Sequence, residues 1–435
     1  MKAIMISALS SNSGKTTVSA LLLHALKEKG FAPCGIKTGP DQIDREILSI
    51  ASGKPAGNLD RFLMTQIGME YSLGLLNSDY AIIEGVMGCF DGIGETSKNS
   101  SFEIAKSLNI DIVLVYTPEG EMFSMIPKLK GFLDFSEHQI KAIILNKINP
   151  AMYATYKNMI EKNLPIKVLG FLPKTQELSI AEDYLGLDTK NYKNNNYLKS
   201  LNTHIDEYID LEKFIALFKP VTTKKLPAVK RTQIKTAIAM DDCINLYYSE
   251  NIAILEKYSQ VQYFSPLHDT HIPDCDFLYF GGAKIKGFAQ ALSQNISMRA
   301  SIKRFVESGG FMLAEGDSLC YVSESFDGIP MCGVFPCKSE GTEKLHNFGY
   351  KLLELHGDTI LGKKGTVVPA AEYHKSKAEP AQAALFTVTK ASTKKTYTDG
   401  YCYKNAIAFF QNINFTSCVE TIYAALCSMQ QTLQK

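Results

Sequence analysis

The sequence has no cysteine pair of the CxxC or CxxH kind. Its ten cysteines are scattered, and the closest approach to a metal pair, Cys332 and Cys337, is a spacing of five. Neither a zinc site nor a disulfide framework is indicated. Net charge is lacking too: 46 basic against 45 acidic side chains leave +1, so the overall balance calls for neither nucleic acid nor a membrane surface. No apolar run approaches the ~20 residues that span a bilayer. The opening MKAIMISALS carries one lysine and runs straight into a Gly-Lys-Thr loop, so it reads as a buried strand and not as a signal peptide. Free thiols without a leader suit a reducing cytosol, and the cytoplasm is the expected compartment. Internal repeats and long low-complexity stretches are absent as well.

What is present is an ordinary globular composition, 45% hydrophobic and 21% charged over 435 residues. That length exceeds one hydrophobic core and predicts two domains. Short β-rich runs stand at Lys2–Ser7, Cys34–Lys37, Tyr80–Glu84, Ile112–Tyr116, Ala142–Asn146 and Val168–Leu172. Helical stretches separate them; in Thr16–Lys29 the face is Val18, Leu21, Leu22 and Leu26. Strands alternating with helices predict right-handed βαβ units and a doubly wound parallel sheet. A Lys-, Asn- and Thr-rich stretch follows, with one helix around Ile209–Phe218. A second α/β series then runs through Ile234–Met240, Asp276–Phe280, Gly310–Glu315 and Ala406–Phe410. The expected division is 1–190, a linker at 191–233, and 234–435.

Three clusters carry chemistry. The first, Ala8-Leu9-Ser10-Ser11-Asn12-Ser13-Gly14-Lys15-Thr16-Thr17, lies between a strand and a helix. Backbone N–H groups of such a turn point at nucleotide phosphates, Lys15 supplies positive charge, and the Thr16 hydroxyl can reach Mg²⁺. Asn12, Ser13, Gly14, Lys15, Thr16 and Thr17 are therefore the expected nucleotide contacts, although Ala8 stands near the place of the usual opening glycine. The second cluster, Lys37-Thr38-Gly39-Pro40-Asp41-Gln42-Ile43-Asp44, puts two aspartates three apart at a strand's C-terminal end. That is the ligand side of an open sheet, although Gly-Pro-Asp is also common turn chemistry. The third is Glu84-Gly85-Val86-Met87-Gly88-Cys89-Phe90-Asp91-Gly92. Its Glu84 ends an apolar strand, where phosphate-loop enzymes keep an acid for Mg²⁺ or its waters. Asp41, Asp44, Glu84 and Asp91 are the candidate catalytic acids, and Thr16, Asp41 and Glu84 the candidate metal ligands.

Together these clusters resemble the cobyrinic acid a,c-diamide synthase family, in the wider group that includes dethiobiotin synthetase and cobyric acid synthase. The matching segments are SNSGKTT, IKTGPDQID, NLD at Asn58–Asp60, EGVMGCFDG, ILN at Ile144–Asn146 and YLGL at Tyr184–Leu187. Past the linker they continue in DDCINLYYSEN, YFSPLHD at Tyr263–Asp269 and AEYHKS at Ala371–Ser376. The resemblance implies a phosphate-loop domain followed by a class I glutamine amidotransferase-like α/β domain, with ATP and Mg²⁺ as cofactors. It also implies amidation of corrinoid or related tetrapyrrole carboxylates through acyl phosphates.

The departures from the family are local. Gln42 stands where the family has an aromatic residue, and Asp183-Tyr184-Leu185-Gly186-Leu187 replaces RHLGL. In the second domain the elbow AECGGL becomes Ala314-Glu315-Gly316-Asp317-Ser318-Leu319, which puts Gly316 at the nucleophile position. The segment SYxHxH becomes Phe409-Phe410-Gln411-Asn412-Ile413-Asn414, with Asn412 at the base, and GGYPE keeps only Gly281 and Gly282. A thiol-free elbow forms no glutamyl thioester. The expected nitrogen source is therefore ammonia, free or delivered by a partner. Other readings stay open: a nucleotide- and tetrapyrrole-binding protein that does not amidate, a dethiobiotin synthetase-like carboxylate-activating enzyme, and a homodimer.

Overall fold

The computed structural model describes residues 1–42, 45–175, 205 and 207–434. It divides into one unit of Met1–Arg61 with Gln66–Lys225 and a second of Phe62–Thr65 with Leu226–Lys435.

The first unit is built on β1 (Lys2–Ala8), β2 (Pro33–Thr38), β3 (Gly57–Leu59), β4 (Tyr80–Glu84), β5 (Ile112–Tyr116), β6 (Ile140–Ile148) and β7 (Lys167–Pro173). They pair in the order 3-2-4-1-5-6-7, all parallel. Near-continuous apolar runs such as IVLVY are what a strand covered on both faces requires, and all five of those residues are buried. Helix α1 (Lys15–Glu28) is buried from Thr17 to Leu26 without interruption, so its sides are apolar nearly all round. The chain leaves β1 toward β2, returns beside β1 as β4, and continues on the other flank as β5. This reversal opens a crevice at the carboxyl ends of β1 and β4. Both motif loops begin there.

Part of the stretch expected as linker is core instead. Ile205, Ile209, Leu211, Phe214 and Phe218 are all buried with the apolar side chains of α1 and β1. Lys219–Pro220 adds a short antiparallel strand, β8, to β1. Spacings of two to four residues separate these buried side chains, and the polar composition around them obscures the pattern.

In the second unit β9 (Lys235–Ala239), β10 (Ile244–Leu246), β11 (Gln260–Phe264), β12 (Phe277–Phe280), β13 (Gly282–Ala283) and β14 (Phe311–Glu315) come first. After β15 (Ser325–Phe326) and β16 (Ile329–Pro330) follow β17 (Lys338–Leu355), β18 (Val367–Ala378), β19 (Phe386–Lys390) and β20 (Thr396–Asp399). The last strands are β21 (Tyr401–Tyr403), β22 (Ala406–Phe409) and β23 (Gln411–Asn412). One sheet runs 11-9-12-14-22-21, parallel except for β21. The second α/β series is thus present as expected. A separate sheet was not anticipated: β16-β15-β17-β18-β23, with β19 and β20 continuing from β17. Among the described residues no helix is long and apolar enough to cross a membrane.

Candidate functional site

The phosphate loop is held from two sides. Gly14 caps α1 with φ +85°, and a Cβ there would lie 2.1 Å from Asn146 Nδ2; only glycine meets both conditions. Asn146, near the end of β6, donates to the Ser13 carbonyl at 2.8 Å, and Lys147 donates to the Asn12 carbonyl at 3.1 Å. Lys15 donates to the carbonyls of Ser10 at 3.0 Å and Met87 at 2.6 Å, linking the first loop to the third. Burial pushes the Lys15 ammonium down to about 8, with the Glu84 carboxylate opposing the shift. Thr17 is buried in the first turn of α1.

Glu84 is the hub of the site. It ends β4 with no exposed surface; its Oε1 accepts from Thr16 Oγ1 at 2.5 Å and from Lys37 Nζ at 2.6 Å. Its Oε2 is buried with no hydrogen-bond partner among the described residues. A buried carboxylate oxygen left unsatisfied is costly unless something else completes it. Asp41 lies 3.8 Å from Lys37 Nζ and is partly exposed, while its carbonyl accepts from Asn58 Nδ2 at 2.8 Å. Asp91 is exposed, and its Oδ2 takes the Gly88 N–H at 2.8 Å, closing the glycine turn. Asp44 lies outside the described residues, as does the 183–187 segment.

Lys37 is the site residue that the motif reading passed over. Register pairs Lys37 with Glu84 on adjacent strands β2 and β4. Neither strand alone announces this. A lysine ending a buried strand, on the ligand side of the sheet, was the available signal.

In the second unit β14 ends at Glu315, and Gly316 turns the chain at φ +60° into the short helix Ser318–Val322. A Cβ on Gly316 would sit 3.1 Å from Gly282 Cα and 3.3 Å from Asn412 Oδ1. The structure therefore brings together three segments that are distant in sequence: the elbow, the Gly281–Gly282 pair and Asn412. Asn412 Oδ1 is buried and unpartnered among the described residues. Cys320 is fully buried, and burial pushes its thiol well above the usual range, the opposite of what a nucleophile needs. Glu315 accepts from Tyr279 OH at 2.9 Å and from the Ile413 N–H at 3.1 Å. Burial lifts its carboxyl to about 8.

Comparison with known proteins matches residues 4–185 to the CobQ/CobB/MinD/ParA nucleotide binding domain and residues 235–414 to the CobB/CobQ-like glutamine amidotransferase domain. The cobyrinate a,c-diamide synthase of Clostridium tetani is 35% identical over 442 residues, covering 98% of this chain and 100% of its own length. That of Clostridium acetobutylicum is 35% identical and covers 95% of this chain and 97% of its own. That of Caldanaerobacter subterraneus is 34% identical, with 95% of each chain covered. The chain belongs to the cobyrinate a,c-diamide synthase family. Within that family's two-part plan, the Glu84 hub lies in the nucleotide-binding match and the Gly316 elbow in the amidotransferase-like match.

Proposed function

We propose that this chain amidates the a and c carboxylates of cobyrinate, or of a closely related corrinoid, at the expense of ATP, with ammonia as the nitrogen donor. The observation that carries the first half is Glu84. One buried carboxylate joins the phosphate-loop threonine to a lysine near the end of the neighbouring strand β2, which is the charge arrangement that phosphoryl transfer needs.

A carboxylate oxygen of the substrate forms a bond to the γ-phosphorus as the bond to the ADP oxygen breaks. Ammonia then bonds to the acyl carbon, phosphate leaves and a proton is released. Lys15, held by two carbonyls in the present arrangement, turns to the phosphate oxygens and neutralises them. The N–H groups at the start of α1 provide the remaining cradle. Lys37 sets a second positive charge between Glu84 and Asp41. The buried, unsatisfied Glu84 Oε2 fits a divalent cation; Thr16, Glu84 and Asp41 are the residues that would hold Mg²⁺. When bound, Mg²⁺ supplies charge neutralisation across the transferred phosphoryl group.

The nitrogen assignment rests on the elbow, which has no thiol at Gly316, an amide at Asn412, and Cys320 sealed in the core. Phosphate release that requires both ammonium and a carboxylated corrinoid tests the whole proposal. Release indifferent to both would instead indicate a nucleotide-driven switch.

A further inference from the structure

We infer that His346, Glu372 and His374 of the second unit form a binding site for one transition-type divalent cation. All three ligands belong to the second unit, and the inference does not rest on the proposed amidation.

His374 and Glu372 lie two apart on β18, hence on one face of the ladder, and both are 1% exposed. His346 stands opposite His374 on β17. The ladder register shifts on either side of His346, so β17 bulges there and re-aims the side chain. One ligand atom from each of the three lies within 4.8 Å of the others. Bond lengths of about 2.0–2.2 Å to nitrogen and oxygen place such atoms roughly 3.5 Å apart. Closing around an ion therefore takes a movement of about 1 Å, and exposed His346 is free to make it.

Hydrogen bonding prepares the donors. His374 Nδ1 lies 2.9 Å from the Ser376 carbonyl, which can only accept. Nδ1 therefore carries the proton, and Nε2 faces Glu372 Oε1 at 2.8 Å. Between that nitrogen and that oxygen belongs one proton or one cation. A backbone carbonyl fixing the far nitrogen of an imidazole is the usual support of a metal-bound histidine. The other carboxylate oxygen is oriented separately: Glu372 Oε2 accepts from Tyr397 OH at 2.8 Å and Gln411 Nε2 at 2.9 Å, with Lys351 Nζ at 3.7 Å. Oε1 is left for the ion.

Glu372 and Asp317 are buried carboxylates at this cluster, Asp399 is half-buried beside it, and the buried Lys351 lies 3.7 Å from Glu372. Asp317 Oδ1 has no partner among the described residues. Two imidazoles and one carboxylate select zinc, cobalt(II) or nickel over magnesium or calcium. Glu372 also binds Gln411, the neighbour of Asn412, so the ion would brace the strand that carries the altered base position.

The test uses untagged, chelator-treated full-length protein, with CoCl₂ or ZnCl₂ alone as the probe. One ion per chain should bind, cobalt should give visible ligand-field bands, and the melting temperature should rise with metal concentration. H346A replaces an exposed side chain and should leave the metal-free melt unchanged while weakening binding by ~10²-fold or more; E372Q should do the same to binding. Wild-type protein that binds no stoichiometric ion, or H346A that binds as tightly as wild type, would overturn the site and leave the trio as a proton-holding ion pair. Neither result depends on whether the chain amidates a corrinoid.

Discussion

Replacing Glu84 by Gln keeps size and hydrogen-bonding reach but removes the charge that joins Thr16 and Lys37. Two separate effects follow. Lys37 is 4% exposed, so the substitution leaves a buried ammonium without its 2.6 Å counter-charge. Breaking such a pair by changing one partner costs about 3–5 kcal/mol. At about 2–4 °C per kcal/mol for a unit of this size, the melt should fall by roughly 10 °C. The second effect is catalytic: without the charge that would hold Mg²⁺, kcat should fall ~10²-fold or more, equivalent to about 2.7 kcal/mol. The double variant E84Q/K37M separates the two. It removes both buried charges and should recover most of the lost melting temperature, since an apolar replacement of a buried pair is often neutral. Its activity should stay low. Thermal melts and steady-state phosphate release on the three proteins decide the matter. A threefold or smaller change in kcat for E84Q, with an unchanged melt, would reduce Glu84 to a turn residue and refute the reasoning.

K15A should abolish ATP hydrolysis with its circular dichroism spectrum intact, because Lys15 contacts loop carbonyls and packs in no apolar core; wild-type turnover in that variant would remove the phosphate-loop assignment. Burial holds the Lys15 pKa at about 8 in the ligand-free protein. Below that pH the ammonium is present, and above it the proton must be taken up on binding. ATP affinity should therefore fall about tenfold per pH unit above about 8, and a titration flat from pH 7 to 10 contradicts this. The purified protein should release no glutamate from glutamine, while amidation saturates with ammonium and ignores thiol-alkylating glutamine analogues; stoichiometric glutamate would point to a thiol in use. The double substitution G316C/N412H should restore little glutaminase activity. The new Cβ meets Gly282 Cα at 3.1 Å on a backbone at φ +60°, and Ala283-Lys284-Ile285 must still rebuild an oxyanion site; wild-family rates in the double variant would show that the neighbouring strands yield easily.

Much of this was readable along the chain because its causes are local. A buried apolar strand, a glycine that must adopt positive φ and a lysine at a helix start fall within twenty residues of one another, so Gly14, Lys15 and Thr16 declared a phosphate loop. Glu84 was found for a similar reason: it ends an unmistakable buried run. The absence of a thiol at position 316 is also a property of the sequence, whatever the fold does around it. Partnership across strands is another matter. The bond from Lys37 to Glu84 depends on β2 lying beside β4 in matching register, and strand order is set by the whole sheet and not by either segment. The sequence offers Asp91 as a candidate catalytic acid, but that its carboxylate accepts from the Gly88 N–H is visible only in the fold. The apolar residues from Ile205 to Phe218 were hidden in polar composition, and only packing against α1 and β1 shows them as core. The sheet of β17 and β18 went unseen because its long strands carry exposed polar residues on one face and a buried charged cluster on the other, so hydrophobic alternation is weak. Sequence therefore determined which chemical groups the chain possesses and which it has lost. Tertiary structure decided which of them meet, since a contact between Gly316 and Asn412, or between His346 and His374, is a matter of register and strand order that no short stretch encodes.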